Sequence, residues 1–98
     1  MKLRIRESAL GDLADGRIFY ERQGGEALGD YFFNSVFADI DSLALYGGIH
    51  GKVDEYYRVL ARRFPYAIYY KMDGPDEAVI YRVLDCRRDP RKIRRALE

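Results

Sequence analysis

The sequence has no tryptophan, one cysteine, one histidine and three prolines among its 98 residues. A single cysteine excludes an internal disulfide framework and a cysteine-rich zinc site, and neither a metal nor a cofactor is expected. Cys86 reads as a small apolar filler at the end of a strand, with a thiolate favoured by Arg87 and Arg88 as the alternative. His50 lies in the glycine-rich connection Gly47, Gly48, Ile49, His50, Gly51, with no evident partner, and reads as solvated rather than catalytic. No apolar run approaches the roughly 18 residues of a bilayer span. The segment Met1 to Arg6 carries no apolar leader core, so a cytoplasmic location away from any membrane is expected.

What is present suits one small folded unit. A chain of this length has too few side chains to enclose two cores, so residues 1–98 are expected to form a single domain. With 48% hydrophobic and 34% charged residues, the chain is too apolar to be disordered throughout. The net charge of +1 hides an asymmetry. Three basic residues face ten acidic ones from Glu7 to Glu55, whereas eleven basic residues face six acidic ones from Tyr56 to Glu98. Such a division suggests an acidic or polyanionic partner for the basic half.

Periodicity supplies the elements. Lys2 to Arg6 alternates charged and apolar residues, as a half-buried edge strand does. Ser8 is placed to cap a helix whose apolar positions are Leu10, Leu13, Ala14 and Ile18, and Gly24 with Gly25 ends it. A second helix is predicted from Glu26 to Tyr46 on the stripe Leu28, Phe32, Val36, Ile40 and Leu43. The acidic residues Asp12, Asp15, Asp30, Asp39 and Asp41 fall mostly off these stripes. Strands are predicted at Tyr56 to Arg62, Tyr66 to Met72 and Ala78 to Leu84, with turns at Phe64, Pro65 and at Asp73 to Asp76. Asp89 and Pro90 mark the start of a short C-terminal helix. The order β, α, α, β, β, β, α implies an α+β fold, with an antiparallel two-helix hairpin packed on an antiparallel β-sheet.

The string YRVLARRFPYAIYYKMDGPDEAVIYRVLDCRRDPR, from Tyr57 to Arg91, resembles the C-terminal half of RelE/ParE-type toxins of type II toxin-antitoxin and plasmid-stabilisation systems. The resemblance rests on Tyr57 and Arg58, on Phe64, Pro65 and Tyr66, on the pair Tyr69 and Tyr70, and on the run Arg87 to Pro90. It implies a bacterial protein that inhibits growth unless bound by a cognate antitoxin. Its target would be DNA gyrase, as for the ParE branch, or mRNA on the ribosome, as for the RelE branch of endoribonucleases. A non-toxic orphan of the family is the third reading, and association into a homodimer stays open.

RNA cleavage by internal transfer needs a group to activate the 2'-hydroxyl, cations near the phosphate and an acid for the leaving oxygen. The resemblance places Arg58 and Arg88 where the nuclease branch carries basic residues. It places Leu60 and Ala67 at two further basic positions and Ile93 or Arg94 near the terminal tyrosine. An arginine is not a general base at neutral pH, and Asp85, Glu55 or His50 would have to substitute. Asp85 also stands where many ParE-like chains carry a histidine. The candidate catalytic residues are thus Arg58, Arg82, Asp85 and Arg88, and the reading favours the gyrase branch.

The candidate partner-binding residues are Arg58, Arg82, Arg87, Arg88, Arg91, Arg94 and Arg95. The competing explanation is neutralisation of the acidic hairpin, but seven basic residues from Arg82 to Arg95 against Asp85 and Asp89 exceed local need. Arg82, inside an apolar strand, must be paired or face a cleft; a cleft is expected, with Arg58 as its neighbour across the sheet. The strand tyrosines are expected to pack rather than to stack on bases.

Overall fold

The computed structural model describes every residue from Met1 to Glu98. In chain order the elements are β1 (Lys2–Ile5), α1 (Glu7–Gly24), α2 (Glu26–Asp41), the single turn α3 (Leu43–Tyr46), β2 (Lys52–Val53), β3 (Tyr56–Leu60), β4 (Tyr66–Met72), β5 (Glu77–Asp85) and α4 (Pro90–Ala96). The sheet runs β1-β5-β4-β3-β2. Strands β2 to β5 form an antiparallel meander, but β1 joins β5 in parallel, with Lys2 opposite Glu77 and Ile5 opposite Ile80. The pairing follows from the intervening helical hairpin, a crossover long enough to return the chain to the same end of the sheet. No helix is long and apolar enough to cross a membrane.

The expected α+β architecture holds, but the sheet is mixed rather than wholly antiparallel because β1 runs parallel to β5, the short β2 lies outside the predicted strands, and three details of the helices differ. The second predicted helix breaks at Ser42, whose hydroxyl donates to Asp39 O at 2.6 Å and so competes with the helical ladder. Ser8 does not cap α1: Arg6 stands at that position without a side-chain bond, and Ser8 Oγ donates instead to Tyr81 O at 2.7 Å. The packed face of α1 is Ala9, Leu13 and Gly16, whereas Leu10 and Ile18 are exposed. Close approach selects that face. A methyl group on Gly16 would lie 2.5 Å from the Phe32 ring, and one on Gly29 would lie 2.9 Å from Arg17 O. Only residues without side chains at the crossing let α1 and α2 come this near.

The principal core lies between hairpin and sheet. Leu13, Phe32, Val36, Ile40 and Leu43 from the helices meet Ile68, Tyr70, Ile80 and Val83 from the strands. Tyr20, Phe32, Phe64 and Tyr66 form an aromatic cluster with centroid separations of 4.8 to 6.3 Å. A smaller core on the opposite face joins Ala67, Tyr69, Leu84 and Leu97, closed by Ile93 and Ala96 of α4. Asp89 starts α4 as expected, accepting from Arg91 N at 2.9 Å ahead of Pro90.

Candidate partner-binding surface

Strand alternation sorts the candidate residues onto two faces. Arg58 pairs with Tyr69, and Tyr69 with Arg82, so these three side chains share one row on the face that carries α4. Arg58 and Arg82 are thus in the same row, as expected, but Tyr69 stands between them. Asp85, opposite Tyr66, projects to the hairpin side. The register slips between Tyr69 and Tyr70, which makes Tyr81 the extra residue of a β-bulge and turns Arg82 toward the outer edge of β5.

That edge decides the role of Arg82. Strand β1 covers β5 only as far as Ile80, and beyond it α1 supplies the missing partners. Asp12 accepts from Val83 N at 2.9 Å and from Arg82 Nε and Nη2, both at 2.8 Å. Arg82 Nη1 donates further to Ala96 O in α4 at 3.1 Å. Arg82 does line a shallow cleft, with Arg6, Tyr56, Tyr81 and Ala96, but it is not free there. The guanidinium is ion-paired, and the Asp12 carboxylate strengthens its hold on the proton. Asp12, read as an off-stripe residue, is the anchor; its only signal was its place one residue before Leu13. Asp39 likewise is buried and accepts from Arg62 N at 3.0 Å.

The remaining arginines divide into engaged and unengaged groups. Arg87 grips Asp85 through Nε at 3.0 Å and Nη2 at 2.8 Å, holding that carboxyl below the usual range. Arg91 pairs with its own helix-capping residue, Asp89, at 3.2 Å. Arg58, half-buried, donates to Tyr69 Oη at 3.2 Å and to Cys86 Sγ at 3.6 Å and has no carboxylate partner. Arg88, Lys92, Arg94 and Arg95 make no ion pair and are exposed. Local neutralisation thus accounts for Arg82, Arg87 and Arg91 and not for the others.

The substitutes considered for proton transfer do not converge on Arg58. Glu55 contacts Lys71 at 3.5 Å, Asp85 points away to the hairpin side, and His50 is bonded to the hydroxyl of Tyr70. His50 is not a solvated loop residue as expected, because burial of Tyr70 brings its hydroxyl to the connection, where Gly48 N also donates to it at 2.9 Å. Cys86 is a half-buried strand-end residue against the small core, and it is Arg58 that reaches the sulfur. Of the tyrosines, Tyr66, Tyr69 and Tyr70 are buried, while Tyr56 donates to Leu97 O at 2.9 Å. Burial, with the charge of Asp85 second, pushes the Tyr66 phenol up to about 12. A shallow cleft between α1 and β5 has Tyr66 and Val83 among its walls, with Asp15, Asp85 and Arg88 beside them.

A helical hairpin on a meander sheet, with exposed arginines at one end of the sheet and on the terminal helix, defines a small α+β protein with a basic surface. Residues 3–90 match the family described as "ParE toxin of type II toxin-antitoxin system, parDE". The chain belongs to this ParE toxin family. Among solved structures it is similar to one titled "Chromosomal ParDE TA system from P. aeruginosa", with a TM-score of 0.76 and 17% identity over 85% of this chain and 92% of that one. At that identity the likeness speaks to the fold. No curated protein matches the sequence.

Proposed function

We propose that this ParE-family chain arrests growth by binding and poisoning DNA gyrase, and that a cognate antitoxin neutralises it by covering the basic surface. The observation that carries the reading is that neither a carboxylate nor an imidazole stands beside Arg58. Arg58 has a phenol and a thiol for neighbours, and the nearest strand-end acid, Asp85, is held as a carboxylate by Arg87 on the other face. Such an arrangement favours holding a partner over cutting RNA, which needs an acid and a base on either side of one phosphate. The family match ends at Pro90, so the roles of Arg91, Arg94 and Arg95 rest on their exposure and charge.

An extended, acidic antitoxin segment that orders on binding would compete with the target for these residues, giving neutralisation without covalent change. Purified gyrase incubated with the chain should lose supercoiling activity, and added antitoxin should restore it. Intact supercoiling together with ribosome-dependent cleavage of message would refute the gyrase assignment and favour the endoribonuclease branch. Replacing Arg88, Arg94 and Arg95 with alanine should weaken antitoxin binding at least tenfold in a titration; unchanged affinity would place the antitoxin elsewhere.

A further inference from the structure

We propose that one end of the sheet binds the phosphodiester backbone of duplex DNA, through Arg62 and Arg63 of the β3–β4 turn together with Arg88 and the outward side chains of α4. The inference rests on the gyrase reading for the source of the DNA, since gyrase holds a duplex, and it adds a contact that reading does not contain. Tertiary structure joins these cations. Cys86 N donates to Pro65 O at 2.8 Å and Tyr66 pairs with Asp85, so the β3–β4 turn and the β5–α4 loop lie side by side at the same end of the sheet.

Arg62, Arg63 and Arg88 are exposed and make no ion pair. The acid nearest the turn, Asp39, is occupied by the backbone N–H of Arg62 and is buried. Asp85, the acid of the loop, is satisfied by Arg87. From Arg88 the loop leads directly into α4, where Lys92 and Arg95 are also exposed and unpaired. A cationic surface whose own acids are already engaged seeks external anions.

Two features favour a phosphodiester over an acidic protein segment at this end. Large exposed apolar side chains are sparse here: Leu60 ends β3 and Tyr31 of α2 lies against Phe64 of the turn, whereas Arg62, Arg63, Arg88, Lys92 and Arg95 are all exposed cations. A duplex backbone is held by charge and needs few such anchors, while an antitoxin segment covering the same cations can anchor in the apolar groove of Val53, Pro90, Ile93 and Leu97. The dimensions also suit it. From β3 to β5 is two strand spacings, roughly 10 Å, and a DNA strand presents a phosphate about every 3.4 Å along the axis. About three phosphates fit across the sheet end, and α4 adds one or two more.

The test uses the purified chain and a fluorescein-labelled duplex without gyrase, read by anisotropy from 50 to 200 mM KCl. Three to five phosphate contacts predict a log–log salt slope of about −2.7 to −4.5, equivalent to a loss of roughly 40- to 500-fold in affinity over that range. Arg62→Ala with Arg63→Ala should flatten the slope by about 2 at an unchanged melting temperature, while Lys2→Ala, at the opposite end of the sheet, should leave it as it was. Absence of binding at 50 mM, an unchanged slope in the turn variant, or equal affinity for polyglutamate would each overturn the proposal. Tighter binding of an RNA duplex than of DNA would overturn the choice of nucleic acid. A chain that poisons gyrase but fails these tests loses this surface and keeps the gyrase reading; one that binds DNA but spares gyrase does the reverse.

Discussion

Removing the carboxylate of Asp12 should cost more than any other single change on the surface of α1. Asp12 is 11% exposed at its side chain and its partner Arg82 is 25% exposed. Three hydrogen bonds converge on the carboxylate, two from the guanidinium and one from Val83 N. Asp12→Ala leaves a largely desolvated guanidinium without its counter-charge. Breaking a buried pair this way costs about 3–5 kcal/mol, and the partial exposure of Arg82 favours about 3. The unpaired Val83 N–H adds about 1 kcal/mol. The total of about 4 kcal/mol corresponds to a fall of roughly 16–32 °C in Tm for a domain of this size. Arg82→Ala made together with Asp12→Ala removes the stranded charge, so the double variant should be more stable than additivity allows by about 1–3 kcal/mol. Urea unfolding of the four members of the cycle measures this. A loss under about 1 kcal/mol for Asp12→Ala, or strict additivity, would refute the view that this pair closes the open edge of β5. Because Arg82 also holds Ala96 O, amide exchange in α4 should accelerate in both single variants.

Three further outcomes are expected. Gly16→Ala should destabilise by about 1–3 kcal/mol because its methyl meets the Phe32 ring at 2.5 Å, whereas Gly11→Ala in the same helix, with nothing within 4 Å, should stabilise by about 0.5–1 kcal/mol; denaturant midpoints of the two variants check the contrast. The Tyr66 phenol titrates in the unfolded chain near 10 and in the folded chain at about 12, so its contribution is whole below pH 10 and is lost as pH rises from 10 to 12, by about 2–3 kcal/mol; Tyr66→Phe should remove that part of the alkaline slope in chemical denaturation. Asp85 has the opposite sign: its lowered pKa stabilises the fold above the unfolded carboxyl's value and the effect fades as acid protonates the folded carboxylate, so Asp85→Asn should flatten the acid limb of the same measurement below about pH 4.

The features readable from the amino-acid order are those set by near neighbours. Alternation marks β1, enrichment in Tyr, Val and Ile between turn residues marks β4 and β5, glycines mark the ends of the two helical stretches, and Asp89 with Pro90 marks the start of α4, because each depends on backbone preferences within a few residues. The string from Tyr57 to Arg91 carried the family for the same reason: its turns and strands are local. Which arginines are available was decided only by folding. Its apolar strand singled out Arg82 as a charge needing a partner or a cleft, but the carboxylate that holds it lies 70 residues away and no local pattern names it. The face of α1 was ambiguous because apolar residues occupy more than one stripe, and the close crossing at Gly16 resolved it. Coulombic and steric terms act through space, so the pairing of Asp12, the parallel placement of β1 and the gathering of Arg62, Arg63 and Arg88 at one end of the sheet exist only once the chain has closed on itself.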